Sequence, residues 1–316
     1  MPVPLAPTEA TASTANPPKS PFAKGGAGGI FPSNQIKIEV QPKEKVMLVI
    51  SCIKQVPDTT QVKIDPVTNT LVREGIPFIV NPYDTHALEE GLALKDRYGL
   101  KAIAISMGPP NTEATLKKAC ALGVDQAILL SDRAFGGADT LATSQVLASA
   151  IERLGQEEEV GIVFCGKQTI DGDTAQVGPG IATRLGFTQL TLVDRIEWLD
   201  VPNKRIRVKR RLEGRHEIVE APLPVVITAV RELNRPRYPT VPMRLAAQET
   251  PVALWDNQVL QLDVETVGLK GSATWVSKIF SPERDQGEII GDGVNDPEGT
   301  AHLLLDKMLA KDLLAF

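Results

Sequence analysis

The run Gly166-Lys-Gln-Thr-Ile-Asp-Gly-Asp-Thr-Ala-Gln-Val-Gly-Pro179 combines the residue types that hold an anion. It follows an apolar stretch, Val160 to Cys165, and leads into a helix-like one, Ala175 to Leu185. A strand that ends in glycine and turns into a helix leaves backbone N–H groups free. The helix dipole adds positive potential at the same place. Gly172 would supply a positive φ for the turn, and Asp173 or Thr174 would cap the helix. The chemistry on offer is recognition of a nucleotide phosphate or pyrophosphate. An ordinary strand–helix junction would carry the same residues.

The elements that must position this turn alternate along the chain. Apolar runs at 46–53, 101–106, 126–131 and 160–165 read as strands, and Pro82 to Tyr98, Asn111 to Leu122, Asp139 to Leu154 and Thr174 to Leu185 as helices. Asn111 and Asp139 stand where N-caps belong, Gly99 and Gly123 where C-caps belong. Strands that are apolar throughout imply a parallel sheet covered on both faces. Residues 204–212 and 216–219, joined at Glu213-Gly214-Arg215, read as an antiparallel hairpin, and Pro224 to Val230 as another buried strand. The expected fold is α/β: a doubly wound, mostly parallel sheet with an antiparallel hairpin and an extended C-terminal arm.

The ends of the chain have a different character. Residues 1–44 are rich in Pro, Ala, Thr, Ser and Gly and bury too little to offset ordering, so a disordered leader is expected there. Pattern begins beside Met47, a candidate alternative start of translation. Residues 45–233 form the expected nucleotide-binding domain. From 234 to 272 prolines and isolated apolar residues show no sustained helical period, and a last helix is expected over Pro297 to Leu314. Such an arm, 234–316, fits either a partner surface or packing back onto its own domain.

Composition excludes several functions. A net charge of −5 opposes broad nucleic-acid binding. No apolar stretch approaches the roughly 18–20 residues that cross a bilayer, so direct membrane insertion is not expected. Cys52, Cys120 and Cys165 are far apart and set no metal spacing; reduced thiols in a cytoplasmic protein are the expectation. No P-loop, GxGxxG after the first strand, GxSxG or HExxH occurs. His86 and His302 lie in helix-like segments without an evident partner, and no catalytic residue is assigned.

Four segments, in order, carry a resemblance: Cys52-Ile-Lys-Gln-Val-Pro-Asp58, Asn81-Pro-Tyr-Asp84, Ser106-Met-Gly-Pro-Pro110 and the Gly166 to Pro179 run. With Asn234-Arg-Pro-Arg-Tyr-Pro-Thr240 they resemble the small (beta) subunit of electron transfer flavoproteins over about residues 46–314. The resemblance implies a heterodimer with an alpha subunit that holds an FAD, served by a flavin dehydrogenase. It implies a nucleotide site at the carboxyl ends of the parallel strands. There the backbone of Cys52 would approach the adenine, Asn81, Pro82, Tyr83 and Asp84 would line the adenosine pocket, and Met107 would stand at the next strand end. Gly166, Lys167, Gln168, Thr169, Ile170, Asp171, Gly172, Asp173, Thr174, Ala175, Gln176 and Val177 would wrap ribose and phosphates.

Members of the family are of two kinds. In simple carriers, which accept electrons from acyl-CoA-type dehydrogenases, the site holds structural AMP. In bifurcating members it holds a second FAD, which takes hydride from NADH and divides the electrons between the alpha-subunit FAD and ferredoxin or flavodoxin. Gly172, Ala175 and Val177 resemble the bifurcating and nitrogen-fixation-associated branch, as do Thr59, Val267 to Ser272 and Lys278 to Pro282. Val241-Pro-Met-Arg-Leu-Ala-Ala-Gln248 departs from the basic docking loop of simple carriers, with one basic residue.

Overall fold

A computed structural model describes residues 46–58, 77–278 and 287–314. The leader 1–44, Thr59 and most of 278–282 lie outside the described residues. The order of elements is β1 (Met47–Cys52), β2 (Gln55–Pro57), β3 (Phe78–Val80), α1 (Pro82–Tyr98), β4 (Lys101–Met107), α2 (Glu113–Leu122), β5 (Gln126–Leu130), α3 (Thr140–Glu157), β6 (Glu159–Gly166) and α4 (Val177–Leu185). There follow β7 (Thr188–Asp200), β8 (Arg205–Leu212), β9 (Arg215–Pro222), β10 (Val225–Ala229), α5 (Val241–Glu249), β11 (Ala253–Trp255), α6 (Asn257–Leu260) and α7 (Pro297–Ala310).

Nine strands form one sheet in the order β11-β5-β4-β1-β6-β10-β7-β8-β9. Every pairing from β11 to β7 is parallel, and β7, β8 and β9 run antiparallel. The mostly parallel α/β sheet and the hairpin are therefore as expected. Side chains alternate across the sheet and build two cores. Val49, Phe164, Ile227 and Ala104 pack with Leu88 and Leu92 of α1 and Leu116 of α2. Leu48, Ile50, Val163 and Val226 pack with Val146 and Ile151 of α3 and Ile181 of α4. Because both faces are covered, the central strands admit no polar alternation, which is why they read as continuous apolar runs.

Local signals behave as their chemistry dictates. Gly99 and Gly123 end α1 and α2 in the left-handed region, at φ 69° and 110°. Asp139 caps α3 by accepting from the Ala142 N–H at 3.0 Å. Asn111 does not cap α2: a short 3-10 turn at Pro110–Thr112 precedes a helix that starts at Glu113.

Two regions go beyond the pattern read from the sequence. Thr188–Asp200, which the sequence pattern leaves unassigned, is a strand of 13 residues inside the sheet, between β10 and β8. The stretch expected to lack a helical period contains α5, capped by Thr240 through the Met243 N–H, and β11, which pairs parallel with β5. Part of the arm thus returns to the sheet edge.

Candidate functional site

Cys52 and Cys165 are register partners on β1 and β6. From β1 the chain builds outward through β4 to β5, then returns to place β6 on the other side of β1. Strand order reverses at that point, and the carboxyl ends of the two strands open a crevice. The residues singled out in the sequence gather at this end of the sheet. Cys52 ends β1, Met107 ends β4, Gly166 ends β6, and Asn81 to Asp84 open α1. The loop 167–176 then connects β6 to α4.

Asn81 and Asp84 hold the crevice together from inside. Asn81 is fully buried, and its amide grips the loop at two points. Nδ2 donates to the Gln168 carbonyl at 2.9 Å, and Oδ1 accepts from the Ile170 N–H at 3.2 Å. Asp84, also buried, accepts from the Lys54 N–H at 2.7 Å and the Gly166 N–H at 3.0 Å. One carboxyl therefore ties the chain just past β1 to the end of β6. Gly166 is required for that approach, since a Cβ there would collide with Asp84 Oδ1 and stand 2.7 Å from Tyr83 Cβ.

The loop has a different backbone from the one expected. Gly172 does not adopt positive φ; Asp173 (φ 50°) and Ala175 (φ 56°) do. Two left-handed residues flanking Thr174 cannot continue a helix, so α4 begins at Val177 rather than Thr174. Its N-cap is Gln176, without a side-chain cap bond, so neither Asp173 nor Thr174 caps it. The Asp173 N–H is engaged by the Thr169 carbonyl at 2.9 Å. Among the described residues, the N–H groups of Thr174, Ala175 and Gln176 meet no acceptor, and residues 171–176 are exposed. Alternation of ordinary and left-handed residues turns successive N–H groups toward one side, a geometry that binds anions. The residues present therefore fit a phosphate group, with α4 adding its dipole.

Charge around the loop is arranged rather than uniform. Lys54 Nζ reaches both Asp171 oxygens, at 2.9 and 2.7 Å. Burial would raise the Asp171 carboxyl, but hydrogen bonds from Lys54 and Thr169 and the Lys54 charge hold it below its usual range. Gln168 Nε2 donates to Asp173 Oδ1 at 2.7 Å, and Lys167 Nζ stands 5.8 Å from the centre of the Tyr83 ring. Burial pushes the Asp84 carboxyl up to about 7, against the opposing bonds from Asn81, Lys54 and Gly166. The hydrogen bond to Cys165, followed by burial, pushes the Cys52 thiol up as well. A thiol held protonated is not a nucleophile, which agrees with a site that binds rather than cleaves.

Two features of this region are not evident from sequence. One is Lys54, whose neighbours in the Cys52 to Asp58 motif draw attention but whose partner lies far along the chain. The other is a cleft of about 380 Å³ beside the loop, lined by Tyr83, Lys167, Leu192, Arg211, Val230 and Arg231 among others. Its walls come from β7, β8 and the end of β10, which no local motif links.

The electron transfer flavoprotein domain model matches residues 68–260. The chain belongs to the electron transfer flavoprotein beta-subunit family. It is 48% identical over 251 residues to the electron transfer flavoprotein subunit beta of Clostridium acetobutylicum, covering 79% of this chain and 94% of that one. It is 46% identical over 265 residues to Protein FixA of Azotobacter vinelandii, with 83% and 94% covered. It is 44% identical over 271 residues to the Caffeyl-CoA reductase-Etf complex subunit CarD of Acetobacterium woodii, with 85% and 100% covered. As a member of an electron transfer flavoprotein beta family, the chain is an electron-transport component that pairs with an alpha subunit and serves dehydrogenase partners.

Beyond the crevice, the family motif around Asn234 has a visible structural basis. Asn234 Nδ2 donates to the His86 carbonyl and to Glu90 Oε2, each at 2.9 Å, and Arg237 pairs with Glu89 at 2.9 Å and Asp96 at 2.8 Å. The start of the arm is thereby fixed along α1, and His86 makes its contact with Asn234 there. Further on, Val241 and Leu245 of α5 are exposed, and α7 buries none of its leucines. No described helix is long and apolar enough to cross a membrane.

Proposed function

We propose that this chain is the small subunit of a bifurcating electron transfer flavoprotein, holding an FAD in the crevice between β1 and β6. In this reading NADH is the donor, and electrons pass toward the alpha-subunit FAD and toward ferredoxin or flavodoxin. The bound flavin would supply the hydride and electron chemistry. The chain's own residues bind and orient it. The N–H groups of Thr174, Ala175 and Gln176 face the diphosphate, Cys52, Asn81, Pro82, Tyr83, Asp84 and Met107 shape the adenosine end, and Asn81 fixes the loop. The observation that carries the reading is the loop, with three N–H groups free among the described residues at the strand-order reversal.

Two further observations favour a ligand longer than AMP. A Cβ on Gly172 would meet nothing closer than Thr169 Oγ1 at 3.5 Å, so its surroundings are open. The cleft at Tyr83 and Lys167, about 380 Å³ at the root of the loop, is within the range of small-ligand pockets. The names of the FixA and CarD relatives support the same branch. The exposed leucines of α7 and the apolar tips of α5 suit partner surfaces. Among the described residues the three cysteines are unpaired, which supports a cytoplasmic setting.

The test is to purify the chain with its alpha subunit and count the nucleotides released. Two FAD per pair are expected; one FAD and one AMP would make it a simple carrier, and a pair without nucleotide would end the redox reading. A single variant sharpens this. Gly172→Asp fits sterically and without positive φ, so it should fold as the parent does. Its added carboxylate beside the phosphates should lower flavin retention by about tenfold or more. Equal flavin content in parent and variant would remove the electrostatic account of this glycine.

A further inference from the structure

Lys54 stands where three parts of the site meet. Its N–H donates to Asp84, its carbonyl accepts from the Asn81 N–H at 2.9 Å, and its ammonium reaches Asp171. The loop it touches is acidic for an anion site. Residues 167–176 carry Asp171 and Asp173 against Lys167, and the Lys167 ammonium is turned toward the Tyr83 ring. Asp173 has a neutral partner, Gln168, which leaves its charge in place. Counted over the side chains of the loop itself, an arriving phosphate meets net negative charge until Lys54 is added.

We propose that Lys54 is a ligand-binding residue of the nucleotide site, supplying the charge that allows an acidic loop to accept a phosphorylated ligand. The inference rests on the nucleotide reading of the loop. Shape is secured independently of Lys54, because Asn81 grips the loop at Gln168 and Ile170 and the Thr169 carbonyl closes the turn onto Gly172 and Asp173. The ion pair is the one link whose loss changes charge and leaves those bonds standing. Asp171 in turn orients the ammonium at the loop, while at least one of its three N–H donors remains for a ligand oxygen.

Charge supply and mechanical latching make opposite predictions for the two partners. The experiment uses the alpha–beta pair stripped of nucleotide and titrated separately with FAD and AMP. Lys54→Met should weaken binding of the ligand the parent takes by at least about tenfold, and Lys54→Arg should stay within about threefold of the parent. Asp171→Asn, which breaks the same ion pair but removes a negative charge from the loop, should bind more tightly than the parent, by about threefold or more. Adding Asp171→Asn to Lys54→Met should recover most of the loss. If Asp171→Asn is as damaging as Lys54→Met, the pair is a latch and the proposal is overturned. Unchanged affinity in Lys54→Met, with the parent still binding, overturns it alone. A parent pair that binds neither FAD nor AMP overturns the nucleotide reading and this inference with it. Matching unfolding midpoints across the series identify any loss that comes from misfolding.

Discussion

Replacing Asp84 by asparagine should change how stability depends on pH, by an amount on the order of 4 kcal/mol between about pH 4 and pH 8. The folded carboxyl titrates near 7 and its unfolded counterpart near 3.8. Between those values the folded chain keeps a proton that the unfolded chain has lost. Stability therefore falls as pH rises through the window; the cost is absent below about 4 and complete above about 7. Asparagine has no such titration. It also presents an NH2 group to one of two backbone donors, Lys54 N–H or Gly166 N–H, leaving that donor buried and unpaired at about 1–3 kcal/mol. At the acidic end the parent should be the more stable protein. Toward pH 8 the difference should close or reverse. Denaturant unfolding of both full-length proteins across the range measures this, and parallel curves would mean that Asp84 does not change charge in the window.

Gly166→Ala should be the most damaging small substitution in the site. The new methyl would collide with Asp84 Oδ1 and lie 2.7 Å from Tyr83 Cβ and 2.8 Å from Asp84 N. Both residues sit in the first turn of α1, which cannot withdraw without releasing Asp84 from the two strand ends. Overpacking of this kind costs about 1–3 kcal/mol, and each donor left unpaired adds about 1–3. The nucleotide of the proposed function should be largely lost from the purified pair. Gly155→Ala is the control. It lies inside α3, where a Cβ would make an ordinary 3.5 Å contact with Val160, so it should be neutral or stabilising. Comparable losses in both variants would show that the close approach at Gly166 is not special.

The central strands are legible because they are buried on both faces and so must be apolar at every position. β7 is not, although it is the longest strand. Its buried residues Leu190, Val193 and Leu199 do not alternate, since Leu192 takes positive φ (59°) and the register with β10 shifts. α5 is hidden for the converse reason. It buries only Ala247 and turns Val241 and Leu245 outward, so no apolar stripe marks it. In the site, residue types single out the loop 167–176, but its conformation is not legible in them. Alanine favours helices, and nothing local announces a left-handed Ala175. Lys54 escapes for a reason of distance, as its partner is 117 residues away.

The order of strands also bears on how the polypeptide emerges from the ribosome. Of the strands in the large sheet, β1, β4 and β5 come out first, but the crevice has no second wall until β6 arrives beside β1. Even then the root of the loop is not fixed. The Lys167 N–H bonds to the Ala229 carbonyl at 2.8 Å, so β10 must be synthesised and inserted before the turn is anchored. A ligand held here cannot template early collapse; it can only be captured after β10 has joined the sheet.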